Sequence, residues 1–170
     1  QFAKAPNPPK VTAVPGDGKV TLYWDRSAES TKDKYMGNIT DGADLYDFEG
    51  YKIYRATDFE FNDAYNITDG DGNPTFLEPY VQNGVRAQWD LVDGKSGWHP
   101  VDLNGIKFYL GDDTGLTHSY VDHNVVNGQR YYYAVVSYDY GGDLSNNIIP
   151  SDSPMKLRVN PLTGSVSLGP

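Results

Sequence analysis

The run Asp69-Gly70-Asp71-Gly72-Asn73 sets three oxygen-bearing side chains at alternate positions, the opening spacing of a calcium loop. Calcium is held by several oxygens at once, and the glycines let the chain curl so that alternate side chains converge. The twelfth position counted from Asp69 is Tyr80, and Glu78 falls two residues early, so the pattern is not a complete EF-hand. Backbone carbonyls or Asp63 would have to finish the shell. Asp112-Asp113 and the set Asp41, Asp44, Asp47 and Glu49 are further acidic groups, in which neighbouring carboxylates repel unless a cation separates them. The expectation is Ca2+ at Asp69, Asp71 and Asn73, against the plainer alternative of a solvated Asp/Gly turn.

Trp89, Trp98 and Tyr109 are the candidate ligand-binding residues. Exposed aromatic faces stack on sugar rings while acidic or amide neighbours bond the hydroxyls. The competing reading is a small apolar core under a long loop, helped by Phe59, Phe61 and Phe76. Catalytic patterns are weaker. Glu49 with Asp90 can be nominated as a glycosidase pair, but nothing separates that pair from chance. His118 and His123 are an odd number of residues apart, so on a strand they face opposite sides and share no metal. His118, Ser119 and Asp122 form a triad by name only. No nucleophile elbow, P-loop, HExxH or dinucleotide fingerprint occurs, and a non-catalytic protein is expected.

Composition narrows the partners. The formal charge is −9 with no Lys/Arg run, which disfavours nucleic acid and an anionic membrane surface. No stretch approaches the roughly 20 apolar residues of a spanning helix, so direct membrane insertion is not expected. The absence of Cys removes disulfides, thiolate catalysis and zinc-thiolate sites together. With 170 residues, 14% of them aromatic, the chain is long enough for one cored domain.

The elements that must position these residues are strands. Helical periodicity is nearly absent, and period-two alternation recurs. Strands are predicted over 10–14, 19–24, 50–57, 106–110, 119–122, 130–140 and 155–159, with a weaker one over 85–92. Val20, Leu22 and Trp24 share one face of the second, and Tyr51 and Ile53 one face of the third. Residues 1–8 read as a leader or linker and 161–170 as a C-terminal linker. Residues 9–160 form the domain, with irregular insertions at about 25–48 and 58–115. Gln1 at the start suggests a processed product or an excised fragment.

In order, Pro8-Pro9, Val20-x-Leu22-x-Trp24, Tyr51-Lys52-Ile53-Tyr54-Arg55, Tyr120-x-Asp122, Asn127-Gly128-x-x-Tyr131-x-Tyr133-x-Val135, Tyr138-Asp139 and Gly142-x-x-Ser145 resemble a fibronectin type III domain. The match covers about 90 residues, and both insertions exceed the family's usual loops. The resemblance implies an all-β, antiparallel β-sandwich with long loop insertions. It places Trp24 in the centre and makes Tyr131 the tyrosine-corner residue, its hydroxyl bonded back to nearby backbone. Tyr51, Ile53, Tyr133 and Val135 complete the expected structural core. The insertions resemble those in modules of large secreted or surface proteins of Bacteroidetes–Chlorobi-type bacteria.

That likeness implies an extracellular or cell-surface, structural or adhesive module of a multidomain protein. Its partners would be neighbouring domains, surface proteins or further copies of itself. The alternative is a carbohydrate-binding accessory domain of a secreted polysaccharide-degrading enzyme, with a glycan as partner.

Overall fold

The computed structural model describes residues 5–32, 47–58, 60–61, 65–68, 74–103, 106–141, 150, 152–153, 157–160 and 165–168. Among them the chain is all-β apart from one 3-10 turn, Ser27–Ser30. The strands are β1 (Val11–Gly16), β2 (Lys19–Trp24), β3 (Phe48–Ala56), β4 (Tyr65–Thr68), β5 (Pro74–Leu77), β6 (Val81–Gln82) and β7 (Val85–Arg86). They continue with β8 (Gln88–Asp90), β9 (Trp98–Leu103), β10 (Ile106–Tyr109), β11 (Ser119–Asp122), β12 (Tyr132–Asp139), β13 (Leu157–Asn160) and β14 (Ser165–Leu168).

Two sheets carry the core. One is three-stranded, ordered β1-β2-β11, and the other five-stranded, ordered β14-β13-β12-β3-β8. All their pairings are antiparallel. β4–β5, β6–β7 and β9–β10 are separate two-stranded hairpins. The alternation of β2 sends Val20, Leu22 and Trp24 into a buried cluster with Val11, and β3 and β12 supply Phe48, Tyr51, Ile53, Tyr133 and Val135 to the same cluster. Tyr131, just before β12, joins them. Trp24 meets the Tyr51 ring edge-on at 5.8 Å between centroids, a favoured aromatic geometry.

The other face of β3 is buried as well. Tyr54 and Ala56 pack with Phe61, Ala134 and Val136 in a second cluster, and Lys52 is 6% exposed. β3 is thus covered on both sides, because Phe61 and Phe108 of the 58–115 insertion lie over its outer face. Gly50 is required there: a Cβ would come within 2.2 Å of the Trp89 carbonyl and 2.7 Å of the Tyr138 hydroxyl.

Three expectations need correcting. The strand expected over 85–92 is split into β7 and β8 around Ala87, whose N–H bonds the Tyr80 carbonyl at 2.7 Å instead of continuing a ladder. The insertion expected to be irregular contains the hairpins β4–β5, β6–β7 and β9–β10. Residues 165–168, expected as linker, pair with β13 as β14 in the five-stranded sheet.

Candidate functional site

Strand alternation sends Lys52 and Tyr54 of β3, and Gln88 of β8, to the outer face of the five-stranded sheet. The β9–β10 hairpin stands beside that face and brings Trp98, Lys107, Phe108 and Tyr109. Arg86 of β7, Glu78 and Pro79 from the segment before β6, and Asp152 complete a groove of about 290 Å³.

Its aromatic wall is Trp98 against Tyr109, edge-on at 4.9 Å. Trp98 is 59% exposed, a large apolar surface left in water. The Tyr109 ring also carries the Arg86 guanidinium at 4.3 Å, and its hydroxyl donates to the Asp112 carboxylate. That hydrogen bond, then burial, raises the Tyr109 hydroxyl pKa.

The floor is polar. Gln88 Nε2 donates to the Tyr109 carbonyl at 2.9 Å and to the Tyr138 hydroxyl at 3.1 Å. The carbonyl accepts only, so the amide is oriented, and Oε1 is left buried with no hydrogen-bond partner among the described residues. The Tyr138 hydroxyl in turn donates to the Leu110 carbonyl at 2.5 Å. Lys52 Nζ lies 4.2 Å from the Phe108 ring centre and 2.7 Å from Asp152 Oδ1. Burial lowers the Lys52 pKa; the Asp152 charge opposes this and the Arg86 charge adds to it.

Of the three aromatic candidates, Trp98 and Tyr109 therefore meet at the groove. Trp89 does not join them. On β8 it points opposite to Gln88 and Asp90, and its ring packs 5.7 Å from Trp24 and 5.3 Å from Tyr120, against the main core. The groove residues that sequence reasoning passed over are Lys52, Arg86, Gln88 and Asp152. Their one visible signal is a lysine inside the aromatic run Tyr51-Lys52-Ile53-Tyr54.

Asp69, Asp71 and Asn73 lie outside the described residues, as do Asp41, Asp44 and Asp63. Among the described residues no group of three or more His, Asp or Glu side chains is placed to hold a metal. The Asp112-Asp113 turn is ordered by a protein carboxylate. Asp90, fully buried, accepts the N–H groups of Asp112 at 3.2 Å, Asp113 at 3.0 Å and Thr114 at 3.1 Å. Burial raises the Asp90 pKa despite these donors. Glu49, its nominated partner in a glycosidase pair, is also buried; burial, a hydrogen bond to Asp93 and the Asp93 and Asp90 charges push its carboxyl up to about 10. His118 and Asp122 serve separate networks, His118 with Glu29 at 2.6 Å and Asp122 with Arg55 at 2.9 Å.

No protein-family model, curated protein or solved structure matches this chain.

Proposed function

We propose that this chain is a non-catalytic, extracellular adhesive module with a fibronectin type III-like β-sandwich, which holds a carbohydrate in the groove beside Trp98 and Tyr109. The observation that carries the reading is the exposed Trp98 ring set edge-on to Tyr109 above a floor of hydrogen-bonding groups. A sugar has apolar C–H faces and a rim of hydroxyls. Trp98 meets the faces, while Glu78, Arg86 and Lys107 meet the rim.

The sandwich assignment draws support from the core cluster that both sheets share. The Tyr131 hydroxyl accepts the Val126 N–H at 2.9 Å, a bond five residues back along the chain of the tyrosine-corner kind. The non-catalytic reading draws on the two nominated acids. Asp90 is engaged by backbone, and Glu49 is 1% exposed, away from any substrate. The calcium proposal rests on the Asp69, Asp71 and Asn73 spacing alone.

The test is a screen of the chain against immobilised oligosaccharides, followed by Trp98→Ala. Binding that the substitution abolishes supports the reading. Binding untouched by it, or an absence of binding across the screen, leaves the structural and self-associating alternatives.

A further inference from the structure

Lysines are almost never fully buried unless paired, and Lys52 is buried in a demanding place. Its Nζ is enclosed by the rings of Phe108 at 4.2 Å, Tyr138 at 5.1 Å and Tyr54 at 5.6 Å. Asp152 Oδ1 stands 2.7 Å away. Among the described residues that buried oxygen has no hydrogen-bond partner beyond this contact with the ammonium. The other carboxylate oxygen, Oδ2, accepts the Tyr54 hydroxyl at 2.8 Å. Backbone fixes both partners. Lys52 sits opposite Val136 in the β3–β12 ladder, and Asp152 bridges to Tyr138 on the far side of β12, with Ser153 N–H on the Ser137 carbonyl at 2.7 Å.

We propose that Lys52 and Asp152 condense into an intramolecular isopeptide bond. A proton first passes from the ammonium to the carboxylate, leaving a neutral amine and a carboxylic acid. Burial favours this uncharged pair, because two charges are costly to hold away from water. The amine nitrogen adds to Asp152 Cγ. The nitrogen passes its extra proton to the Oδ1 hydroxyl and the C–Oδ1 bond breaks, while the Tyr54 hydroxyl holds the Oδ2 oxyanion that becomes the amide carbonyl. One C–N bond forms, one C–O bond breaks and one water leaves, with no change of oxidation state. Two groups held in contact by the fold react as an intramolecular pair, which supplies much of the barrier lowering. Asp152 is about one-third exposed at its side chain and lines the groove, so the water has an exit.

The product is a covalent clasp in a chain with no cysteine. It closes residues 52–152 into a loop and ties β3 to the segment leading into β13. Load applied to the chain ends would then bypass everything between the two residues. This inference stands apart from what the groove binds.

The experiment is intact mass spectrometry of the purified, folded chain, with tandem sequencing of its tryptic peptides. The expected result is a mass lower by one water, no cleavage after Lys52, and a branched peptide joining the Lys52 and Asp152 segments. Lys52→Arg, which keeps the charge but cannot condense, and Asp152→Ala should each restore the full mass. Each should also lower Tm by roughly 10 °C, the scale expected for removing a cross-link over a loop this long. A full sequence mass in the folded wild-type chain, with normal cleavage after Lys52, overturns the proposal whatever the variants do.

Discussion

Arg55 of β3 and Asp122 of β11 form an ion pair of 2.9 Å that joins the two core sheets through the interior. Asp122 is fully buried and also accepts the hydroxyls of Tyr133 at 2.6 Å and Tyr80 at 2.8 Å, and the Asn124 N–H at 3.0 Å. The guanidinium lies 4.2 Å from the Tyr80 ring centre and 4.9 Å from that of Tyr131. Arg55→Ala strands a buried carboxylate and is expected to cost about 3–5 kcal/mol. Thermal melting should show a drop of roughly 10 °C. A Tm within a degree or two of wild type would mean that the pair does not hold the sheets together.

Asp90 and the loop after β10 lend themselves to a sharper test. Gly111 has φ +122, and a Cβ there would stand 2.4 Å from the Asp90 carboxyl carbon. Gly111→Ala is therefore expected to open the Asp112–Thr114 turn and expose it to limited proteolysis, with a stability loss of at least about 1 kcal/mol. Asp90→Ala, which removes the acceptor, should produce the same cleavage. An uncut loop in both variants would contradict the role given to Asp90.

Stability should fall as pH rises because of Glu49. In the unfolded chain this carboxyl releases its proton near the ordinary value of 4.5, whereas in the folded chain it holds the proton up to about 10. The folded state binds the extra proton throughout that window. Its stabilisation is complete below about pH 4.5, declines as pH rises, and is lost above the folded value. Glu49→Gln keeps the shape without the proton. Urea midpoints at about pH 5, 7 and 9 should fall for wild type and fall much less for the variant. Parallel profiles would contradict the buried, protonated Glu49.

How far the sequence could be read depends on what each pattern responds to. The alternation of Lys19–Trp24 reports a strand with one wet face, and β2 forms over those residues. On β3 the same counting puts Lys52 and Tyr54 on the face opposite Tyr51 and Ile53, and both are covered. What covers them arrives from distant segments, and period-two counting along one strand carries no information about such long-range cover. Asp112-Asp113 invites a cation by local charge, yet the ordering group is Asp90, some twenty residues earlier and on another strand. Trp89 and Trp98 are alike in sequence. Only the parity of β8 separates them, sending Trp89 to the core while Trp98 stays exposed at the groove.

The calcium proposal predicts stabilisation by the ion. With calcium at about 100 times its dissociation constant, melting should gain about 2.7 kcal/mol relative to the EDTA-treated chain. Asp69→Ala combined with Asp71→Ala should abolish the gain. An identical Tm with calcium and with EDTA would remove the ion from the account.

The most direct test of the groove is calorimetric titration of the best oligosaccharide from the immobilised screen into wild type, Trp98→Ala and Trp89→Phe. The groove account predicts binding to wild type, a loss of at least about tenfold in affinity for Trp98→Ala, worth about 1.4 kcal/mol, and little change for Trp89→Phe, whose ring faces the core. Unchanged affinity in Trp98→Ala, with the fold intact by melting, would contradict it.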